Sequence, residues 1–172
     1  MVTHLSMKLL FSISLLSIFF FSFAKAQDIN NLVARDAVSG TDFSLKDSNY
    51  SKGLVLIFHD IDCPFAKMYE NRIKELSANY SSKGFTFSFI SPEITGNETS
   101  EQVLKSFVND NRLNTKYLMD KEQVWTKFFG IKKIPEVILI VKGENGAEIA
   151  YRGAIDNNPQ AEGSVSSRFL EK

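Results

Sequence analysis

Apolar residues along this chain form three kinds of pattern, and each predicts a different element. Leu54-Val55-Leu56-Ile57-Phe58 is a continuous run, too short for a helix core and rich in β-branched and large side chains, so it reads as a buried strand. Phe65, Met68, Tyr69, Ile73, Leu76 and Tyr80 recur at three- and four-residue spacing, which predicts an amphipathic helix from Pro64 to about Ser81, stopped by Gly84. Phe85 to Ile90 alternates with period two and reads as a strand ended by Ser91-Pro92. Strand, helix and strand in this order imply a right-handed crossover and a parallel pair. Ser100 to Arg112 is a second helix, Tyr117 to Met119 a short strand, and Lys121 to Phe129 a third helix with Gly130 just past its end. The pattern then changes. Pro135 to Val141 is a strand opened by proline, Lys142 to Gly146 a turn and Ala147 to Arg152 a second strand, together an antiparallel hairpin. Upstream, Asp28 to Asp36 is a lead-in, Asp36 to Leu45 gives two short extended pieces around a Ser-Gly turn, and Lys46 to Lys52 is a polar loop. The tail from Asp156 is polar until Phe169-Leu170, which reads as the start of a helix.

The N-terminus has another pattern. Lys8 precedes an apolar stretch, Leu9 to Phe23, followed by Ala24-Lys25-Ala26, which is similar to a cleavage site. Residues 1–26 therefore read as a secretory signal peptide, too short to favour a retained membrane helix. Residues 27–172 suit one domain. The protein is expected to be exported, periplasmic or extracellular, without stable membrane insertion after cleavage. The formal charge of the 172 residues is zero, and removing Lys8 and Lys25 leaves a slight acidic excess. That balance carries no electrostatic footprint for nucleic acid or an anionic membrane.

Candidate chemistry concentrates after the first strand. His59, Asp60, Ile61 and Asp62 form a short polar loop, and Cys63 follows it, just before Pro64, where a helix tolerates proline in its first turn. A thiol at a helix N-terminus meets unpaired N–H groups and the positive end of the dipole, both of which favour the reactive thiolate. Cys63 is the only cysteine, so in a disulfide-permissive compartment it forms no internal bridge. It is a functional thiol, an intermolecular pairing site (a Cys63–Cys63 homodimer included), or a buried cysteine that merely packs. His59 could hold the thiolate as a Cys–His partner or simply face the loop. Asp60 and Asp62 could serve acid–base chemistry or be solvated. The cluster has no recognised metal-ligand spacing, and neither a metal nor another cofactor is assigned. Lys67 and Arg72 are expected on a solvated helix face. Arg152 either closes over the site or makes a salt bridge, and Trp125 and the phenylalanines are core. Three N-x-S/T sequons begin at Asn49, Asn79 and Asn97, relevant only in a eukaryotic secretory pathway.

A mixed sheet with a β-α-β half, a hairpin half and a cysteine at the first strand–helix junction is the thioredoxin arrangement, an α/β fold with helices flanking the sheet. FHDIDCPFAKMYENRIKELSANYSSKGF resembles the peroxiredoxin-like redoxins, the thiol-specific antioxidant group of the thioredoxin superfamily, and YLMDKEQVWTKFFGIKKIPEVILI with IAYRGAIDNN is similar to their second half. The resemblance spans about Gly40 to Asn158. Its most specific pieces are Asp62-Cys63-Pro64, Ile134-Pro135 and Tyr151 to Asp156. It implies that Pro135 is a cis-proline turning the Ile134 backbone toward Cys63 and a docking substrate, where sequence alone favours a trans proline opening an edge strand. There are departures. Counting back from Cys63, Asp60 stands where the first cysteine of a C-x-x-C would be, so nothing local resolves a mixed disulfide. In the peroxiredoxin pattern P-x-x-T-x-x-C the corresponding positions are Ile57 and Asp60, so the peroxide-aligning hydroxyl is missing and a carboxylate opposes the thiolate.

Two functions are expected from these residues. One is an exported single-cysteine thiol oxidoreductase or peroxidase with Cys63 as nucleophile, a peroxide or disulfide as substrate, and an external thiol or thioredoxin-like protein as reductant. The other is a non-catalytic thioredoxin-fold binding module that has lost the C-x-x-C. An ordinary C-x-x-C reductase is excluded by the single cysteine.

Overall fold

The computed structural model describes residues 28–46, 48–92, 101–144 and 146–171. The expected signal peptide at 1–26 and the sequon at Asn97 lie outside the described residues. Among the described residues, seven strands form one mixed sheet: β1 (Val33–Asp36), β2 (Thr41–Ser44), β3 (Gly53–Phe58), β4 (Phe85–Pro92), β5 (Lys116–Asp120), β6 (Glu136–Gly143) and β7 (Gly146–Gly153). Their order is β2-β1-β5-β4-β3-β6-β7. β3 pairs in parallel with β4, and β4 with β5, whereas β6 runs antiparallel to β3 and to β7.

The central strand explains the two-sided core. Successive side chains of a strand point to opposite faces, and every residue of β3 is buried. Leu54, Leu56 and Phe58 join Trp125, Phe129, Ile138 and Ile140 on one face. Val55 and Ile57 join Ile73, Leu76, Phe89, Leu104, Val108 and Tyr117 on the other. The first face is covered by α4 (Val124–Phe129) and the second by α2 (Glu70–Ser81) and α3 (Glu101–Asp110). Truncating a fully covered β3 side chain such as Leu56 costs about 2–5 kcal/mol by lost transfer energy and cavity formation.

Several predicted elements are relocated. The lead-in contains β1, because Val33 to Asp36 pairs with β2 on one side and with Met119 and Leu118 of β5 on the other. The helix expected from Pro64 to Ser81 is two helices, α1 (Pro64–Lys67) and α2, separated by Met68 and Tyr69. Here the Tyr69 N–H turns to the Ala66 carbonyl, three residues back, and the Tyr69 ring is driven into the core. Before α4 the chain makes a 3₁₀ turn at Lys121–Gln123, with positive φ at Glu122 and Gln123. Asp120 is buried and accepts from the Trp125 and Thr126 amides and the Thr126 hydroxyl, holding the start of α4. The tail ends in a 3₁₀ turn, Phe169–Glu171, whose Phe169 and Leu170 amides reach the Ile155 carbonyl.

Candidate active site at the Cys63 loop

The strand–helix junction is held by backbone groups. His59 N–H donates to the Ile90 carbonyl, extending the β3–β4 ladder one residue past β3. The Asp60 carboxylate then accepts the Asp62 N–H at 2.8 Å, and the Asp60 carbonyl accepts the Cys63 N–H at 3.1 Å. This is an Asx turn, in which a short acidic side chain mimics a backbone acceptor. It delivers Cys63 to the N-cap of α1, in extended conformation with Pro64 as the first helical residue. Asp60 is half-buried and Asp62 exposed, so Asp60 shapes the loop while Asp62 faces solvent.

Cys63 is free and half-buried. Its Sγ lies 4.0 Å from the Ile134 carbonyl oxygen, and the Ile134–Pro135 peptide is cis. The thiol and the loop before β6 thus meet across the end of the sheet, because β3 and β6 are neighbours and Phe58 is in register with Glu136. Phe65 and Met68, 58% and 43% exposed, stand beside the thiol along the chain and present apolar surface to solvent.

The other candidate residues are only partly gathered here. His59 is completely buried and does not face the loop. Its Nδ1 is 2.7 Å from Tyr117 Oη and its Nε2 3.5 Å from Glu70 Oε1, so its neighbours are a phenol and a carboxylate. The burial follows from strand alternation, since His59 continues the face of Val55 and Ile57 and stacks near Phe89, Phe107 and Tyr117. Arg152 makes the salt bridge: its Nε meets Glu136 at 2.9 Å, and its Nη2 donates to the Gly130 carbonyl at 2.6 Å. Arg72, expected in solvent, is buried. Its guanidinium pairs with Asp156 and donates to the Asn158 and Pro159 carbonyls, fastening the segment after β7 to α2. Tyr69 donates to the same Asp156. Burial, then that contact with Asp156, pushes the Tyr69 phenol up to about 12.

Two participants escaped sequence reading. Ala66 is one: with Cys63 at the N-cap, a C-x-x-C counted forward has its second position at Ala66, which lies within α1 and is 0% exposed. The proline following the cysteine was the available signal. Glu70 is the other: it opens α2 directly after the break at Met68-Tyr69, and its Oε1 lies 3.5 Å from His59 Nε2. Among the described residues, no group of three or more His, Cys, Asp or Glu side chains is placed to hold a metal ion.

Comparison with known proteins adds a family and a fold. A family model described as AhpC/TSA matches residues 24–154. An uncharacterized conserved protein from Geobacillus kaustophilus superposes with a TM-score of 0.67 at 21% identity, over 77% of this chain and 69% of that one. A secreted Mycobacterium tuberculosis disulfide oxidoreductase homologous to E. coli DsbE gives 0.54 at 23% identity, over 76% and 85%. A PrxQ mutant from Xylella fastidiosa gives 0.57 at 16% identity, over 73% and 79%. These likenesses place the chain in the thioredoxin-like fold. No curated protein matches it.

Proposed function

The chain belongs to the AhpC/TSA family, and from that membership we propose that it is an exported thiol oxidoreductase that works with one cysteine, Cys63. The observation that carries the reading is the half-buried free thiol at the N-cap of α1, facing the Ile134 carbonyl across a cis Ile134–Pro135 bond. In the peroxide reaction the thiolate sulfur attacks one peroxide oxygen, the O–O bond breaks, and the other oxygen leaves with a proton as water or alcohol. Cys63 becomes a sulfenic acid, oxidised by two electrons. A first external thiol displaces water to give a mixed disulfide. A second attacks that disulfide, regenerates Cys63 and leaves as an external disulfide. Both reducing equivalents come from outside, because the chain has one cysteine. With a disulfide as substrate, the same thiolate attacks one sulfur, the substrate's S–S bond breaks, its other sulfur leaves as a thiolate, and the mixed disulfide forms directly.

Ala66 and the exposed Phe65 and Met68 favour one competing reading, in which this surface only docks a partner. Thiol-dependent consumption of hydrogen peroxide, and separately of a small disulfide, distinguishes the two. Turnover of either substrate that disappears in Cys63→Ser supports the oxidoreductase. Equal background rates in both proteins refute it and leave the docking surface.

A further inference from the structure

His59 has more hydrogen-bond geometry around it than a neutral imidazole satisfies. Tyr117 Oη donates to the His59 carbonyl at 2.9 Å and lies 2.7 Å from His59 Nδ1. A phenol has one hydrogen, and here it is used on a carbonyl that only accepts, so Nδ1 must supply the hydrogen of the second bond. Burial, together with the charges of Asp60, Glu70 and Asp62, holds the Tyr117 phenol well above its ordinary value, and the phenol keeps its proton. Nε2 of a neutral ring is then a bare acceptor. It faces Glu70 Oε1 at 3.5 Å, and both atoms are buried without a hydrogen-bond partner. Two bare acceptors in that position repel. One proton between them makes the contact attractive, either as imidazolium against carboxylate or as imidazole accepting from a carboxylic acid.

Aromatic rings enclose the imidazole. The Phe89 and Phe107 ring centroids lie 4.8 and 5.5 Å from the imidazole, on β4 and α3. Among the described residues, the titratable groups in contact with His59 or acting on its partner Tyr117 are Tyr117 of β5, Glu70 of α2, and Asp60 and Asp62 of the loop, none of them a cation. His59 and Glu70 also stand at the two ends of the segment 60–69, which carries Cys63.

We propose that one proton shared between His59 Nε2 and Glu70 Oε1 clasps the two ends of that segment and sets the position of Cys63, so that His59 and Glu70 are positioning residues of the site. The proposal rests on Cys63 being the reacting group. Glu70→Gln is the discriminating variant, because its amide donates an N–H to His59 Nε2 and closes the clasp with no shared proton. The pH profile of Cys63 alkylation by iodoacetamide is expected to show two steps in the unmodified protein, one from the thiol and one from the pair. Glu70→Gln should show the thiol step alone. Glu70→Ala, which closes nothing, should speed amide exchange at Cys63 and Lys67 roughly tenfold, the loss of one charge-assisted hydrogen bond, and Glu70→Gln should restore it. NMR of the unmodified protein at neutral pH decides independently of any variant. A proton on His59 Nε2 or on the Glu70 carboxyl supports the clasp; a bare Nε2 facing an ionised Glu70 overturns it, as do superimposable alkylation profiles. If Cys63 forms no sulfenic acid, the redox reading falls while these measurements still stand.

Discussion

A second cysteine at position 66 would stand one helical turn after Cys63, where Ala66 is now fully covered. Ala66→Cys is expected to fold at a cost of about 1–3 kcal/mol from overpacking. It should acquire what the natural chain lacks: an internal disulfide, seen by intact mass as the loss of two hydrogens on mild oxidation. A protein that stays fully reduced under those conditions would mean that position 66 is not the partner position. At this scale the sequence was informative about Cys63 and Pro64, whose adjacency marks a helix start, and about Asp60 as a loop residue. It was less so for His59. The alternation Val55, Ile57, His59 contained the burial, but a polar residue next to two aspartates reads naturally as loop. Nothing in the sequence pointed to Tyr117 as its partner, because α1, α2, β4 and α3 intervene between them.

The break between α1 and α2 shows the same limit for elements. Helical spacing runs unbroken from Phe65 to Tyr80, so periodicity predicts one helix. What divides it is tertiary: Tyr69 and Arg72 both turn to Asp156, far along the chain. A solvated arginine and a buried one carry the same local pattern, and Arg72 was therefore misplaced. Arg72→Met should destabilise the fold by about 3–5 kcal/mol, since it leaves a buried carboxylate without its cation. Urea unfolding measures this. The double variant with Asp156→Asn should lose less than the two single losses together. Additive losses would show that the two side chains do not act as a pair. The hairpin β6–β7 and the strands β3 and β4 were legible because their signals are local: runs, alternation and a turn.

At the scale of the whole molecule, the mixed sheet and its helical layers follow from the order of those local signals, and the family match agrees with the resemblance carried by Asp62-Cys63-Pro64 and Ile134-Pro135. Stability should depend on alkali. The folded Tyr69 phenol is raised from 10.0 to about 12 by burial and by Asp156. Its contribution is therefore complete below pH 10 and is lost as pH rises through about 12, because over that interval the unfolded chain releases the proton first. Tyr69→Phe should cost about 1 kcal/mol at neutral pH for the lost hydrogen bond and show a shallower fall in stability above pH 10. An unchanged alkaline slope would assign that fall to other groups. The central claim, that Cys63 is a reacting thiol, is tested most directly by intact-mass spectrometry after brief, near-stoichiometric peroxide with a sulfenic-acid trap. The account predicts one rapid, stoichiometric adduct at Cys63, reversed by added thiol when the trap is withheld and missing in Cys63→Ser. No adduct at that dose, with Cys63 alkylated no faster than a free thiol, would contradict it.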